Sequence, residues 1–393
     1  MNLKNMLMGC SIASMVVLAS CGQKGTTSLT QSGLDPAKFD TIVDGQQVKL
    51  YRLTNKNGME VCVTNFGARV VSIMAKDKEG QFRDVVLAFD NIAKFMDIEH
   101  NASDFGAAIG RYANRINQGK ITIGDDTIQL PQNNYGHCLH GGPMGWQYKI
   151  YTVDEESSND STIVMCLHSE DGDNNFPGNV EAKVTYMLTE DNALDMKFEA
   201  TTDKETVINM TNHSYFNLHG DPSVAGTDME LYINADSYTP TDATFMTTGE
   251  IRPVAGSQFD FTSPKTIQSA LDDTTGEHGV QIKNAMGIDH NFCLNTYKDG
   301  KGDDTMVAAS LYSPKSGIFM QVYTNEPGVQ CYTGNFLNGK MIGKNNIAYP
   351  KQASVCLETQ KFPDSPNKKD WVQPFLKPNQ KYYSHVVYKF SVK

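Results

Sequence analysis

Positive charge is scarce in this chain. Its six arginines are scattered and no polybasic run occurs, which excludes the electrostatic footprint of a nucleic-acid binder. The formal net charge is −11 and the isoelectric point is about 5.3. Metal signatures are missing too. There is no HExxH and no CxxC, and His137 and His140 alone do not make ligand spacing. The run Asp171-Gly172-Asp173-Asn174-Asn175 lacks the later glycine and glutamate of a calcium loop and reads as a solvated turn. No metal and no cofactor is therefore expected. No repeat, low-complexity tract or interior linker is evident. Helical periodicity is nearly absent: only residues 264–273 read as a short helix, with Ser263 as its cap and Pro264 in the first turn. With 39% hydrophobic and 20% charged residues in 393, the chain has enough apolar matter for a substantial core.

What is present begins with a leader-like segment. Lys4 supplies a positive start, and Met6 to Ala19 is mostly apolar but too short to span a bilayer. Leu18-Ala19-Ser20-Cys21 then resembles a bacterial lipobox, which predicts cleavage after residue 20 and a lipid on Cys21. The expected location is the bacterial cell envelope, on the periplasmic or outer-membrane face. Residues 21–38 are polar and read as a flexible tether. One folded domain is expected over 39–393.

Short alternating runs dominate that domain, among them QVKLYRLT, MEVCVTNF, VEAKVTYMLTEDNALDMKFEATT and HVVYKFSVK. Period-two patterning rich in Val, Thr and Tyr signals antiparallel strands. Gly124-Asp125, Asp191-Asn192 and Lys315-Ser316-Gly317 sit where hairpins would turn. An all-β fold follows, as a large antiparallel β-sandwich or barrel. Six cysteines remain after Cys10 and Cys21: Cys62, Cys138, Cys166, Cys293, Cys331 and Cys356. They sit singly in apolar runs and read as free thiols, with one bridge still open.

Chemistry is concentrated in a few strings. TNHSYFNL (211–218) sets His213 in a strand-like run, and an imidazole can give or take a proton near neutral pH. GRYANRI (110–116) puts Arg115 beside Asn114, a donor fork next to an amide that suits hydroxyl groups. LHGG (139–142) places His140 before two glycines, and IDHNF (288–292) carries Asp289. LETQKFPDSPN (357–367) places Glu358 in an apolar run, where a carboxylate is either paired or functional. Glu358 and His213 suit the roles of base and acid, but spacing along the chain gives no distance between them.

Taken in order, NFGARV (65–70), GRYANRI, LHGG, DGDNNFPGNV (171–180), TNHSYFNL, IDHNF, EPGVQCYTGNF (326–336) and LETQKFPDSPN resemble the aldose 1-epimerase (galactose mutarotase) family over almost everything after residue 40. The resemblance implies the mutarotase-like supersandwich and interconversion of the α and β anomers of free aldohexoses without a cofactor. By position in the motifs it implies His213 as acid and Glu358 as base. It makes Asn114, Arg115, His140, Asp289 and Gln330 sugar-binding residues, with Tyr215 beside them. Cys331 and Trp146 depart from the aromatic residue and the phenylalanine common at their positions, and are expected to reshape one wall of the pocket. Phe216 is expected in the core. A monomer is expected.

The implied pair predicts a bell-shaped pH–rate profile. Other readings make different demands. A glycoside hydrolase would need two carboxylates astride a glycosidic bond, with no task for His213. A non-catalytic sugar-binding envelope lipoprotein would need neither acid nor base.

Overall fold

In the computed structural model, residues 28–101 and 103–393 are described. The leader and the lipidation expected at Cys21 lie outside them. The alternating segments pair into antiparallel sheets, as their period of two requires. The largest has nine strands. In spatial order it runs Thr152–Val153, Thr162–Ser169, Val180–Leu188, Ala193–Thr202, Tyr382–Val392, Ile318–Thr324, Ala309–Tyr312, Glu230–Ile233 and Lys265–Thr266. Every second residue of Val180–Leu188 is buried, from Val180 through Val184 and Tyr186 to Leu188. The C-terminal strand does the same with Val386, Tyr388 and Phe390. The main core lies on this face, in an all-β antiparallel sandwich.

The three hairpins expected from turn residues form, with Gly124, Asn192 and Gly317 all at positive φ. All six cysteines among the described residues are free: four are buried, while Cys166 and Cys293 are half-buried.

A five-stranded sheet carries the chemistry: Arg252–Pro253, Ser237–Thr239, Asp289–Cys293, Gly328–Tyr332 and Cys356–Gln360. Its last two strands are buried along their whole length. Alternation divides their side chains between two interiors. Phe292, Val329, Cys331 and Leu357 join the main core. The opposite face carries Asp289, Gln330 and Glu358, with Gln330 directly across from Glu358. Cys331 therefore points away from the cavity, and its substitution does not reshape the wall as expected. The reason is parity: it neighbours Gln330 in sequence and so takes the other face.

Three further expectations shift. Residues 30–38 are not a tether. Leu34 is buried with Phe39 in a second apolar cluster, the Gln31 N–H donates to Glu60, and Asp35 caps a single 3-10 turn, Pro36–Lys38. The packed chain thus begins near Thr30. The helix expected across 264–273 forms only over Ile267–Asp272, capped by Thr266, because Lys265–Thr266 is used as a sheet-edge strand. A ten-residue helix, Gly276–Ala285, was not legible as periodicity. It sends Gln281 inward to Thr241 and His290, and that polar side chain breaks the apolar stripe. No helix among the described residues is long and apolar enough to cross a membrane.

Candidate active site

A cavity of about 310 Å³ opens beside the polar face of the five-stranded sheet. Asn114, Arg115, His140, His213, Tyr215, Asp289 and Glu358 line it, together with Ser103–Phe105, Asn134, Tyr332, Phe336 and Met341. Seven of the eight catalytic and sugar-binding residues expected from the sequence thus meet in one place.

His213 follows a two-residue strand, Thr211–Asn212, paired with Ala108–Ile109. Its own N–H donates to the Ala107 carbonyl, and its carbonyl accepts from Gly106 N–H, so the ring projects from a fixed backbone. It stacks on Tyr215, with ring centroids 5.0 Å apart and planes 16° off parallel. Nε2 of His213 stands 3.5 Å from Oε1 of Glu358. Oε2 of Glu358 and Nδ1 of His213 are buried with no hydrogen-bond partner.

Burial sets the charge of this pair. It pushes His213 down to about 3, with His140 adding to the effect. It pushes Glu358 well above the usual carboxylate range, with the charges of Asp289 and Asp104 adding to it and Arg115 opposing. The contact is therefore between two neutral groups rather than an ion pair. Both descriptions hold the same number of protons, since moving one proton from carboxyl to imidazole converts one into the other.

The arginine and second histidine come from two loops that grip each other. Asn114 and His140 both have left-handed backbones, at φ 65° and 50°, a region polar short side chains enter more readily than others. Gly141 lets the loops close, because a Cβ there would collide with the Gly110 carbonyl. Nδ1 of His140 accepts the Asn114 N–H at 3.1 Å. Burial, with Arg115 beside it, pushes the His140 ring down to about 3. The ring is neutral, so its proton is on Nε2. Arg115 spends Nε and one terminal nitrogen on Oδ1 of Asn134, at 3.1 and 3.0 Å, and its guanidinium lies 5.1 Å from the Phe245 ring centroid. Its charge faces Asp289 and Glu358. Trp146 packs under Gly110, fully buried; it is not in the cavity wall, contrary to expectation, because the glycine leaves room for the indole beneath the loop.

Gln330 is the exception among the expected sugar-binding residues. It does not line the cavity. Its Nε2 donates to Oδ1 of Asp289 at 2.7 Å, which fixes that carboxylate. Burial raises the Asp289 carboxyl, while Arg115 and Gln330 oppose the rise.

Other sequence candidates are occupied elsewhere. His137 accepts from Gln118 N–H and pairs with Thr244. Asp171 and Asp173 accept from Gly178 N–H, Ser169 and Lys149, so neither holds a calcium-like arrangement. Phe216 is buried against Tyr388 in the core, as expected. Among the described residues one set has donor atoms close enough for a cation, Asp104, His140 and His213, within 4.8 Å of one another. Arg115 beside His140 opposes a second positive charge there. Asp104, Asn134 and Tyr332 went unnoticed in the sequence. Tyr332 lies inside a quoted motif two residues beyond Gln330, and sheet parity would have put it on the site face. Asp104 and Asn134 sit in loops without a pattern.

Known proteins resemble this chain over most of its length. A family model described as Aldose 1-epimerase matches residues 49–389. The mouse protein named galactose mutarotase is 36% identical over 348 residues, covering 88% of this chain and 95% of that protein. The Escherichia coli K12 aldose 1-epimerase is 37% identical over 349 residues, covering 88% and 96%. Among solved structures, an aldose epimerase homologue from C. elegans superposes with a TM-score of 0.79 at 28% identity, covering 88% of this chain and 99% of that one. A galactose 1-epimerase from Lactobacillus acidophilus gives 0.75 at 29% identity, covering 90% and 97%.

Proposed function

This chain belongs to the aldose 1-epimerase family and is an isomerase that interconverts the α and β anomers of hexoses, and from that premise we propose that His213 and Glu358 carry its two proton transfers. The observation that supports the pairing is the 3.5 Å contact of Nε2 with Oε1 inside one cavity. The atoms that exchange protons in anomerisation, the C1 hydroxyl oxygen and the ring oxygen, are both bonded to C1. Acid and base must therefore stand side by side, not across the pocket.

Glu358 as carboxylate takes the proton of the C1 hydroxyl. That oxygen becomes a carbonyl, the bond from C1 to the ring oxygen breaks, and its electron pair stays on the ring oxygen. His213, protonated, gives its Nε2 proton to that oxygen. The open aldehyde is then bound by a neutral carboxylic acid and a neutral imidazole, the charge state that burial favours. Rotation about C1–C2 turns the other carbonyl face to the hydroxyl, and the same transfers in reverse close the ring. No proton is consumed. Each positioned group of this kind contributes about 10²–10⁴-fold.

The remaining residues hold the sugar. Arg115 and Asp289 present opposite charges to hydroxyls, and Nε2–H of His140 donates to an oxygen near C1. The Asn114 amide has its oxygen engaged by the Arg115 N–H at 2.8 Å, which leaves its NH₂ to donate. Tyr215 supplies an aromatic face, while Gln330 acts through Asp289. Polarimetry on fresh α-D-glucose and α-D-galactose tests the assignment. His213→Asn and Glu358→Gln should each lose the acceleration, and near-parental activity in either removes that residue from its role.

We propose further that Cys21 carries a lipid that tethers a monomeric enzyme to the cell envelope. The lipobox-like Leu18-Ala19-Ser20-Cys21 supports the lipid. Labelled palmitate should enter the parent and not Cys21→Ser, and light scattering should return the mass of one chain.

A further inference from the structure

Asp104 lines the cavity, yet none of its side-chain oxygens receives a hydrogen bond from a described residue, and Oδ1 is buried without a partner. Across from it His213 has the complementary defect, a buried Nδ1 with nothing bonded. Donor atoms of the two residues lie within 4.8 Å. The ring's other nitrogen is turned to Glu358. A lone carboxylate oxygen and an unsatisfied ring nitrogen are each costly when buried; the two residues stand close but beyond direct hydrogen-bond reach, so a bond between them needs a proton on the ring and a small approach.

The backbone keeps the two residues in register. Gly106 N–H and the Ala107 carbonyl are bonded to His213, and the Asn212 amide donates to the Gly106 carbonyl. Arg69 clamps the loop on both sides of Asp104, donating to the carbonyls of Ser103 and Phe105 at 3.1 and 3.0 Å. Those bonds, with a third to the Gln147 carbonyl, occupy the ends of its guanidinium, so Arg69 fixes the loop without neutralising the Asp104 carboxylate through a salt bridge.

We propose that Asp104 is a positioning residue for His213: its carboxylate accepts the Nδ1 proton when the ring is protonated, holds the ring plane toward the sugar, and leaves Nε2 as the nitrogen that exchanges protons with the substrate. The inference rests on His213 being the acid. A carboxylate behind a histidine commonly serves this orienting function. The groups facing His213 are Glu358 at Nε2, His140 at the ring edge, Tyr215 and Tyr332 on its flanks, Arg69, and Asp104. Asp104 and the residue's own backbone favour the charged ring, while burial, His140 and Arg69 oppose it.

The test is Asp104→Asn and Asp104→Glu in the full chain, assayed by polarimetry beside His213→Asn and Glu358→Gln. Asp104→Asn should lower kcat about ten- to a hundred-fold, the usual weight of a hydrogen bond to a charged group, with little change in KM. The alkaline limb of its kcat profile should move to lower pH, because the pair gives up its shared proton more readily once the neighbouring anion is gone. Asp104→Glu should restore part of kcat. A parental kcat, or a lower kcat with an unmoved pH profile, overturns the proposal. If His213→Asn is inactive and Asp104→Asn is parental, this inference alone fails; if His213→Asn is active, the acid assignment fails first. Should Asp104→Asn not fold, imidazole-¹⁵N-labelled parent protein with saturating glucose serves instead. A downfield Nδ1 proton on His213 is expected, and its absence overturns the proposal.

Discussion

The backbone N–H of Asn114 donates to Nδ1 of His140 at 3.1 Å. A main-chain donor cannot act as an acceptor, so this bond decides which nitrogen of a neutral imidazole bears the proton. It turns a residue that could serve as a base into a fixed donor aimed into the cavity. His140→Ala should therefore cost about 10–100-fold in kcat/KM, the loss of one buried hydrogen bond to the reacting end. A variant within two-fold of the parent by polarimetry would show that Nε2–H touches nothing that matters.

The pH profile should be a broad plateau rather than a narrow bell. Proximity of two charges alone suggests limbs near neutrality, but burial moves His213 to about 3 and Glu358 upward. Between those limits the pair keeps the same proton count. Activity should be nearly level across neutral pH, since the limbs report the pair as a whole. Initial rates in matched-ionic-strength buffers check this; a maximum confined to one pH unit would contradict the burial argument.

Glu358→Gln should abolish turnover and yet stabilise the fold above neutral pH. A carboxyl whose folded pKa is raised binds its proton more tightly in the native state. The resulting stability is full below the unfolded value, near 4.5, and is lost as pH rises toward the folded one. The amide has no such loss. Its melting temperature should exceed the parent's by about 1–2 °C or more at pH 8 and match it near pH 4. Equal differences at both pH values would mean that Glu358 is not protonated in the fold.

Arg115→Lys should raise KM on the order of tenfold, one lost hydrogen bond to a charged group, with kcat less affected. The guanidinium bonds Asn134 through two nitrogens while still facing Asp289 and Glu358, and a single ammonium cannot do both. Initial rates across a glucose series measure it, and an unchanged KM would place Arg115 outside sugar binding.

Much of this molecule could be read along the chain. Alternation exposed the strands because each has one face in the core, and the turns at Gly124, Asn192 and Gly317 showed themselves through residues that tolerate positive φ. The site strings stood out because imidazole, guanidinium and carboxylate groups are rare in apolar runs. Strand parity decides the rest of the motif: it turns Cys331 into the core and puts Tyr332 on the site face. Trp146 and Gln330 were misplaced by one layer, since sequence gives no depth.

The sequence by itself determined the local periods, the turns and the inventory of acid, base and donors, because those depend on neighbours a few residues apart. Only the tertiary structure decided that the rings of His213 and His140 and the carboxylates of Asp104 and Glu358 share one cavity, and which of their nitrogens hold protons. Those outcomes depend on strand pairing between distant segments and on how far each group is withdrawn from water.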